Sequence, residues 1–139
     1  MPPASSEAGY SGTPLGKKLS LKPGMRVWFD AMPDSVLAEI DMHDLVHLSA
    51  PEQGLDAAHI FVTDRADMEA KLSMLRQLLQ PAGFIWVSWP KKASKVPTDI
   101  TEDTIRAVIL PSTDLVDVKV CAVDAVWSGL KLMIRKDRR

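Results

Sequence analysis

Cysteine is nearly missing from this chain. Cys121 stands alone among 139 residues, which excludes an internal disulfide. A zinc site would have to be built from other ligand types. No apolar run approaches the roughly 18 residues of a membrane span, so no membrane partner is expected. The opening residues MPPASSEAGYSG lack the apolar centre of a secretory signal, and a cytoplasmic location follows as the expectation. Charge of one sign is lacking too: the formal net charge is −1, so contact with nucleic acid would need a local basic patch and is not the favoured reading. There is no G-x-x-x-x-G-K and no G-x-S-x-G, which removes the nucleotide P-loop and the hydrolase elbow. Internal repeats are absent.

What is present fits one domain, with hydrophobic residues at 46%, enough to build a core unaided. The stretch Gly83–Val96, GFIWVSWPKKASKV, is the organising feature. Its first half has no polar alternation, as suits a strand covered on both faces of a parallel sheet. Its second half is a lysine loop just past that strand, where open α/β sheets bind ligands.

In chain order, residues 1–12 read as a flexible tail and 13–135 as the domain, with a basic tail at 136–139. Thr13-Pro14 reads as a helix start. Met25–Asp30 predicts the first strand, and Val36, Leu37 and Ile40 the apolar face of a short helix. Asp44–Ser49 predicts a weak strand and Ala58–Thr63 a buried one. Asp64 then caps a helix whose stripe is Met68, Leu72, Leu75 and Leu79, widened by Met74 and Leu78 and stopped by Pro81 and Gly83. Phe84–Trp89 is the central strand. A helix follows within about Asp99–Leu110, capped by Asp99 with Glu102 or by Thr101, and ended by Pro111. Leu115–Val126 and Leu130–Arg135 alternate as an antiparallel pair. The expected fold is therefore α/β: a single Rossmann-like domain, mainly parallel sheet with helices on both faces and an antiparallel C-terminal strand pair.

Three blocks carry a resemblance: Gly9–Gly24, Val87–Asp103 and Leu115–Leu132. Together they resemble a bacterial family catalogued as a domain of unknown function, number 3052, which implies no reaction. More broadly, LLQPAGFIWV and the closing strand pair are similar to the class I methyltransferase fold. That resemblance implies a glycine-rich cofactor turn after the first strand, but Val27–Ser35 holds no glycine. It also implies an acidic residue closing the second strand, for which Glu52 is the loose counterpart.

The candidate ligand-binding residues are Ser88, Trp89, Lys91, Lys92, Ser94 and Lys95. Lysines supply point charges for phosphate or carboxylate, and small neighbours let backbone N–H groups approach. The competing reading is a solvated loop pairing with the acidic start of the next helix. His43 and His47, on an extended segment, would sit about 13 Å apart and could not share a metal; His59 would lie beside His47 only if their strands are neighbours. Neither Ser88 nor Ser94 has a recognisable base in sequence. Lys119, two residues before Cys121, would share its face and could lower its thiol pKa, but a partly buried structural thiol is the favoured reading. Asp117 and Asp124 could pair with Lys119 and Lys131 across the terminal strands. Trp127 is expected in the core.

These readings favour a non-catalytic binding or regulatory module. It would take an anionic small molecule or acidic protein patch at Pro90–Val96, with no catalytic residues, cofactor or metal assigned. The alternatives are a divergent S-adenosylmethionine-dependent methyltransferase or related transferase, and a subunit dimerising through its C-terminal edge strands.

Overall fold

A computed structural model describes residues 14–139; the expected tail at 1–12 and the cap at Thr13 lie outside the described residues. The elements are α1 (Leu15–Lys18), β1 (Arg26–Asp30), α2 (Asp34–Leu37), β2 (Val46–His47), β3 (Leu55–Phe61), α3 (Arg65–Leu78), β4 (Leu79–Pro90), α4 (Glu102–Ser112), β5 (Leu115–Ala122) and β6 (Trp127–Ile134). Single 3-10 turns close Lys92–Ser94 and, in the basic tail, Lys136–Arg138.

One six-stranded sheet has the order β2-β1-β3-β4-β6-β5. The first four strands of that order run parallel, and β6 pairs antiparallel with both β4 and β5. Helices α3 and α4 cover one face through Met68, Leu72, Leu75, Ile105 and Ile109, packed on Ile60, Ile85, Val87 and Leu132. The short α1 and α2 cover the other through Leu15, Leu19, Val36 and Ile40, packed on Val27, Phe84 and Trp86. The expected α/β architecture is what the chain forms.

Several boundaries differ for definable reasons. Helix α3 ends at Leu78 and passes directly into β4, so Leu79 closes the stripe as a strand residue and Pro81 lies within the strand. Met74 is exposed and does not widen the apolar face. Gly83 sits where a Cβ would come within 2.7 Å of Leu79 Cδ1 and 2.9 Å of the Asp56 carbonyl, so glycine lets β4 lie against β3 at the shift in their register. Thr101, not Asp99, caps α4, in a capping box with Thr104. Asp99 instead accepts from the Arg65 N–H at 2.8 Å and serves the start of α3 beside Asp64, which accepts from Asp67 N–H. Pro111 falls inside the last turn of α4, which runs on to Ser112. The weak strand shrinks to two residues, Val46 and His47.

Candidate functional site

The chain leaves β1 toward β2 on one side, while β3 lies on the other side of β1. That reversal is a topological switch point at the carboxyl ends of β1 and β3, the position at which such sheets bind ligands. On the α3 side the switch point is polar. The Asp30 carboxylate, closing β1, contacts the Lys71 ammonium, which also holds Asp67 at 2.9 Å. Partial burial works against the lysine charge, but the hydrogen bonds to Asp30 and Asp67 outweigh it and hold Lys71 above its ordinary pKa.

On the other face of the sheet aromatic rings pack behind the switch point. The Phe29 and His47 rings lie 5.2 Å apart, and His59 stacks on Phe61 at 4.4 Å. Phe61 in turn meets the edge of half-buried Trp127 at 5.1 Å, which places Trp127 on the core as expected. Between β1 and α2, Ala31 adopts φ +56°, a left-handed conformation that costs an L-residue roughly 1–2 kcal/mol. That turn and Pro33 leave α2 one turn long.

The six sequence-predicted residues separate into three kinds. Ser88 is fully buried and Trp89 nearly so, on opposite faces of β4. Lys91 Nζ donates to the Asp124 carbonyl at 2.6 Å, and Ser94 Oγ to the Lys91 carbonyl at 2.7 Å, so both hold the loop together. Lys92 and Lys95 are exposed and make no ion pair among the described residues. The acidic start of α4 does not neutralise them: Glu102 and Asp103 face Arg106, and Asp99 is committed to α3. Lys95 takes φ +62° as it ends the 3-10 turn.

Other expectations are corrected. Ser88 does have a base: His59 Nε2 lies 2.6 Å from Ser88 Oγ, the two residues meeting across the β3–β4 pair. His59 is not beside His47, because β1 runs between their strands. Burial drives the His59 pKa down to about 3, and its Nδ1 has no hydrogen-bond partner among the described residues. The pair has no solvent access, which makes it a buried polar contact and not a nucleophile. Cys121 is buried, and that burial raises its thiol pKa against the opposing effect of Lys18 and Lys119. Asp117 pairs with Arg106 at 2.9 Å, and Asp124 caps the β5–β6 turn through Val126 and Trp127 N–H. Lys119 is left opposite another cation, Lys131. Glu52 pairs with Arg26 at 2.8 Å, at the amino end of β1 and so at the wrong edge for the role the resemblance implied.

A wide groove of about 920 Å³ between α3, α4 and the C-terminal residues is lined by Arg76, Asp114, Arg135 and Arg138. A smaller one of about 180 Å³ lies between Lys17, Lys22 and Asp44. Both lie at the amino-terminal edge of the parallel strands. No helix among the described residues is long and apolar enough to cross a membrane. None of the described His, Cys, Asp or Glu side chains gather in threes as a metal site would require.

No protein-family model matches the chain, so nothing there supports the resemblance to family 3052. No curated protein matches it either. Solved structures do. An S-adenosylmethionine-dependent methyltransferase from Aquifex aeolicus superposes with a TM-score of 0.58 at 16% identity, over 86% of this chain and 89% of that one. Aeropyrum pernix fibrillarin, solved with natively bound S-adenosyl-L-methionine, gives 0.56 at 12% identity over 90% and 70%. Methanococcus jannaschii fibrillarin, a pre-rRNA processing protein, gives 0.52 at 8% identity over 91% and 71%. The chain has the Rossmann-like α/β fold of these structures.

Proposed function

We infer that the chain is a divergent domain of the S-adenosylmethionine-dependent methyltransferase type, binding its ligand in the crevice between the carboxyl ends of β1 and β3. The observation that carries this reading is the switch point, with its left-handed turn at Ala31, its polar α3 side and the aromatic rings behind it. The solved neighbours favour it, at the level of fold, over a module that works through the lysine loop alone.

The side chains do not fit S-adenosylmethionine held in the way the fold resemblance implies. Ala31 supplies the left-handed turn but carries a Cβ where a glycine would let the cofactor approach. His47 closes β2 where a carboxylate would hold the ribose, and Glu52 is pinned elsewhere. The one carboxylate at the end of β1, Asp30, is engaged by Lys71. No transfer step is therefore assigned to this crevice; the proposal is for binding of an adenosyl-type ligand, held differently.

Amide NMR titration with S-adenosylmethionine, its demethylated product and adenosine tests it. The expected result is saturable shifts confined to residues 30–34, 47–48 and 62–64. No shift with any of the three overturns the reading. A second reading rests on Lys92 and Lys95, exposed without a carboxylate partner among the described residues. It predicts that anionic ligands shift residues 91–96 and that Lys92→Ala/Lys95→Ala removes the effect.

A further inference from the structure

At two of the chain's ion-pair clusters the acids outnumber the cation they meet. Lys71 holds Asp30 and Asp67, and Arg106 faces Glu102, Asp103 and Asp117. At Asp114, between α4 and β5, the ratio is inverted. Arg76 forks this carboxylate, Nε donating to Oδ1 and Nη2 to Oδ2, each at 2.6 Å. Arg138 shares the same Oδ2 from 4.0 Å and meets no other carboxylate among the described residues. The hydrogen bonds from Arg76, against partial desolvation, hold the Asp114 carboxyl below its ordinary pKa, and the charge of Arg138 adds to them. One ionised acid therefore serves two guanidinium groups and neutralises one.

Backbone contacts hold the basic tail against this point. The Arg135 N–H donates to the Asp114 carbonyl at 2.8 Å and the Arg138 N–H to the Arg135 carbonyl at 2.9 Å. Arg139 Nε donates to the Ile134 carbonyl at 2.7 Å. The exposed Arg135 and Arg138 thus line the same groove of about 920 Å³ as Arg76. Arg135 has Asp137, in its own turn, at 3.4 Å, and Glu69, the groove's second carboxylate, lies 3.5 Å from Arg65. The groove is not polar throughout. Buried Leu72 and Leu115 and half-buried Val108 also line it.

A second carboxylate would complete the arrangement that Asp114 begins. Guanidinium groups take carboxylates in a planar fork, and partial desolvation strengthens the attraction. The apolar lining gives a neighbouring side chain somewhere to sit, which a nucleic-acid backbone does not supply. No aromatic side chain lines the groove, so bases would have nothing to stack on. The length and openness of the groove suit a segment of chain better than an enclosed small molecule.

We propose that the groove between α3, α4 and the C-terminal residues docks a short acidic peptide segment of a partner protein. Arg138 and Arg135 would take an Asp or Glu side chain, and an apolar side chain would rest against Leu72 and Val108. The surface lies at the opposite edge of the sheet from the β1–β3 switch point and does not depend on what binds there.

A randomised hexapeptide array probed with the labelled intact chain tests it, followed by amide NMR titration of the strongest peptide. Sequences carrying Asp or Glu beside an apolar residue, with saturable shifts at residues 72–77, 108–115 and 135–138, support the proposal. Arg135→Gln/Arg138→Gln should then weaken that peptide by about tenfold or more, as should amides in place of the peptide's acids. Both arginines are exposed, so the double variant should unfold with the wild type. An array that selects nothing, or selects without acidic residues, overturns the proposal. Shifts elsewhere, or full affinity in the double variant, also overturn it. So does random-sequence duplex DNA that shifts the groove residues where the acidic peptide does not, since that would assign the surface to a polyanion.

Discussion

His59 Nε2 and Ser88 Oγ lie 2.6 Å apart on neighbouring parallel strands, both sealed from solvent. Burial opposes the imidazolium form and lowers the His59 pKa from 6.5 to about 3. Between those values the unfolded chain binds the proton and the folded chain does not. Stability therefore falls as pH drops below 6.5, by at most about 1.4 kcal/mol per unit, until the folded value is reached. Denaturant unfolding at pH 7 and pH 5 should differ by roughly 2 kcal/mol from this group. His59→Leu should flatten the slope. In the native protein the His59 ring should show no NMR titration above pH 4; a midpoint near 6.5 would contradict its burial.

Asp99 joins two elements. Its carboxylate accepts from the first N–H of α3, which otherwise has no partner within the helix. Asp99→Ala should cost about 1 kcal/mol, the usual loss for a cap, and Asp99→Asn much less. Urea unfolding would measure both. Equal losses in the two variants would point to charge and not to the hydrogen bond.

Gly129 pairs with Ser88 on β4, and a Cβ there would sit 3.1 Å from the Trp86 ring and 3.3 Å from Ser88 Oγ. Those neighbours are fully buried and cannot give way freely. Gly129→Ala should therefore destabilise by about 1–3 kcal/mol through overpacking. The same variant should disturb the ring signals of Trp86 and His59. Unchanged stability would mean that the sheet relaxes at this point.

Much of this architecture could be read before any coordinates. The Met68, Leu72 and Leu75 stripe, the apolar run into Trp89 and the alternation of the terminal strands each depend on side chains within a few positions of one another. The site was harder because its relationships are long-range. Ser88 finds its base 29 residues away, and only the insertion of β1 between β2 and β3 decides that His59 and His47 stay apart. Local spacing offers both Asp99 and Thr101 as the cap of α4; Thr101 is the cap, and Asp99 serves the start of α3, more distant in sequence. The lysine loop was legible as exposed charge, yet nothing local says that Lys91 turns inward to Asp124.

Ala31 gives the sharpest test of the crevice. Its φ of +56° places a methyl group in a conformation glycine adopts freely. Ala31→Gly relieves a left-handed penalty of roughly 1–2 kcal/mol and adds unfolded-chain entropy of roughly 0.5–1 kcal/mol, so it should leave stability equal or up to about 1.5 kcal/mol higher. Ala31→Val should lower it by more than 1 kcal/mol, because branching at Cβ worsens the same conformation. If the turn is also the ligand's seat, removing the methyl group opens the approach that the fold's usual glycine provides. Affinity for an adenosyl-type ligand should then rise in Ala31→Gly. Calorimetric titration of the wild-type chain and the variant with adenosine measures it. A variant that is more stable yet indifferent to every adenosyl compound would leave Ala31 as strain with no binding role and remove the crevice from consideration.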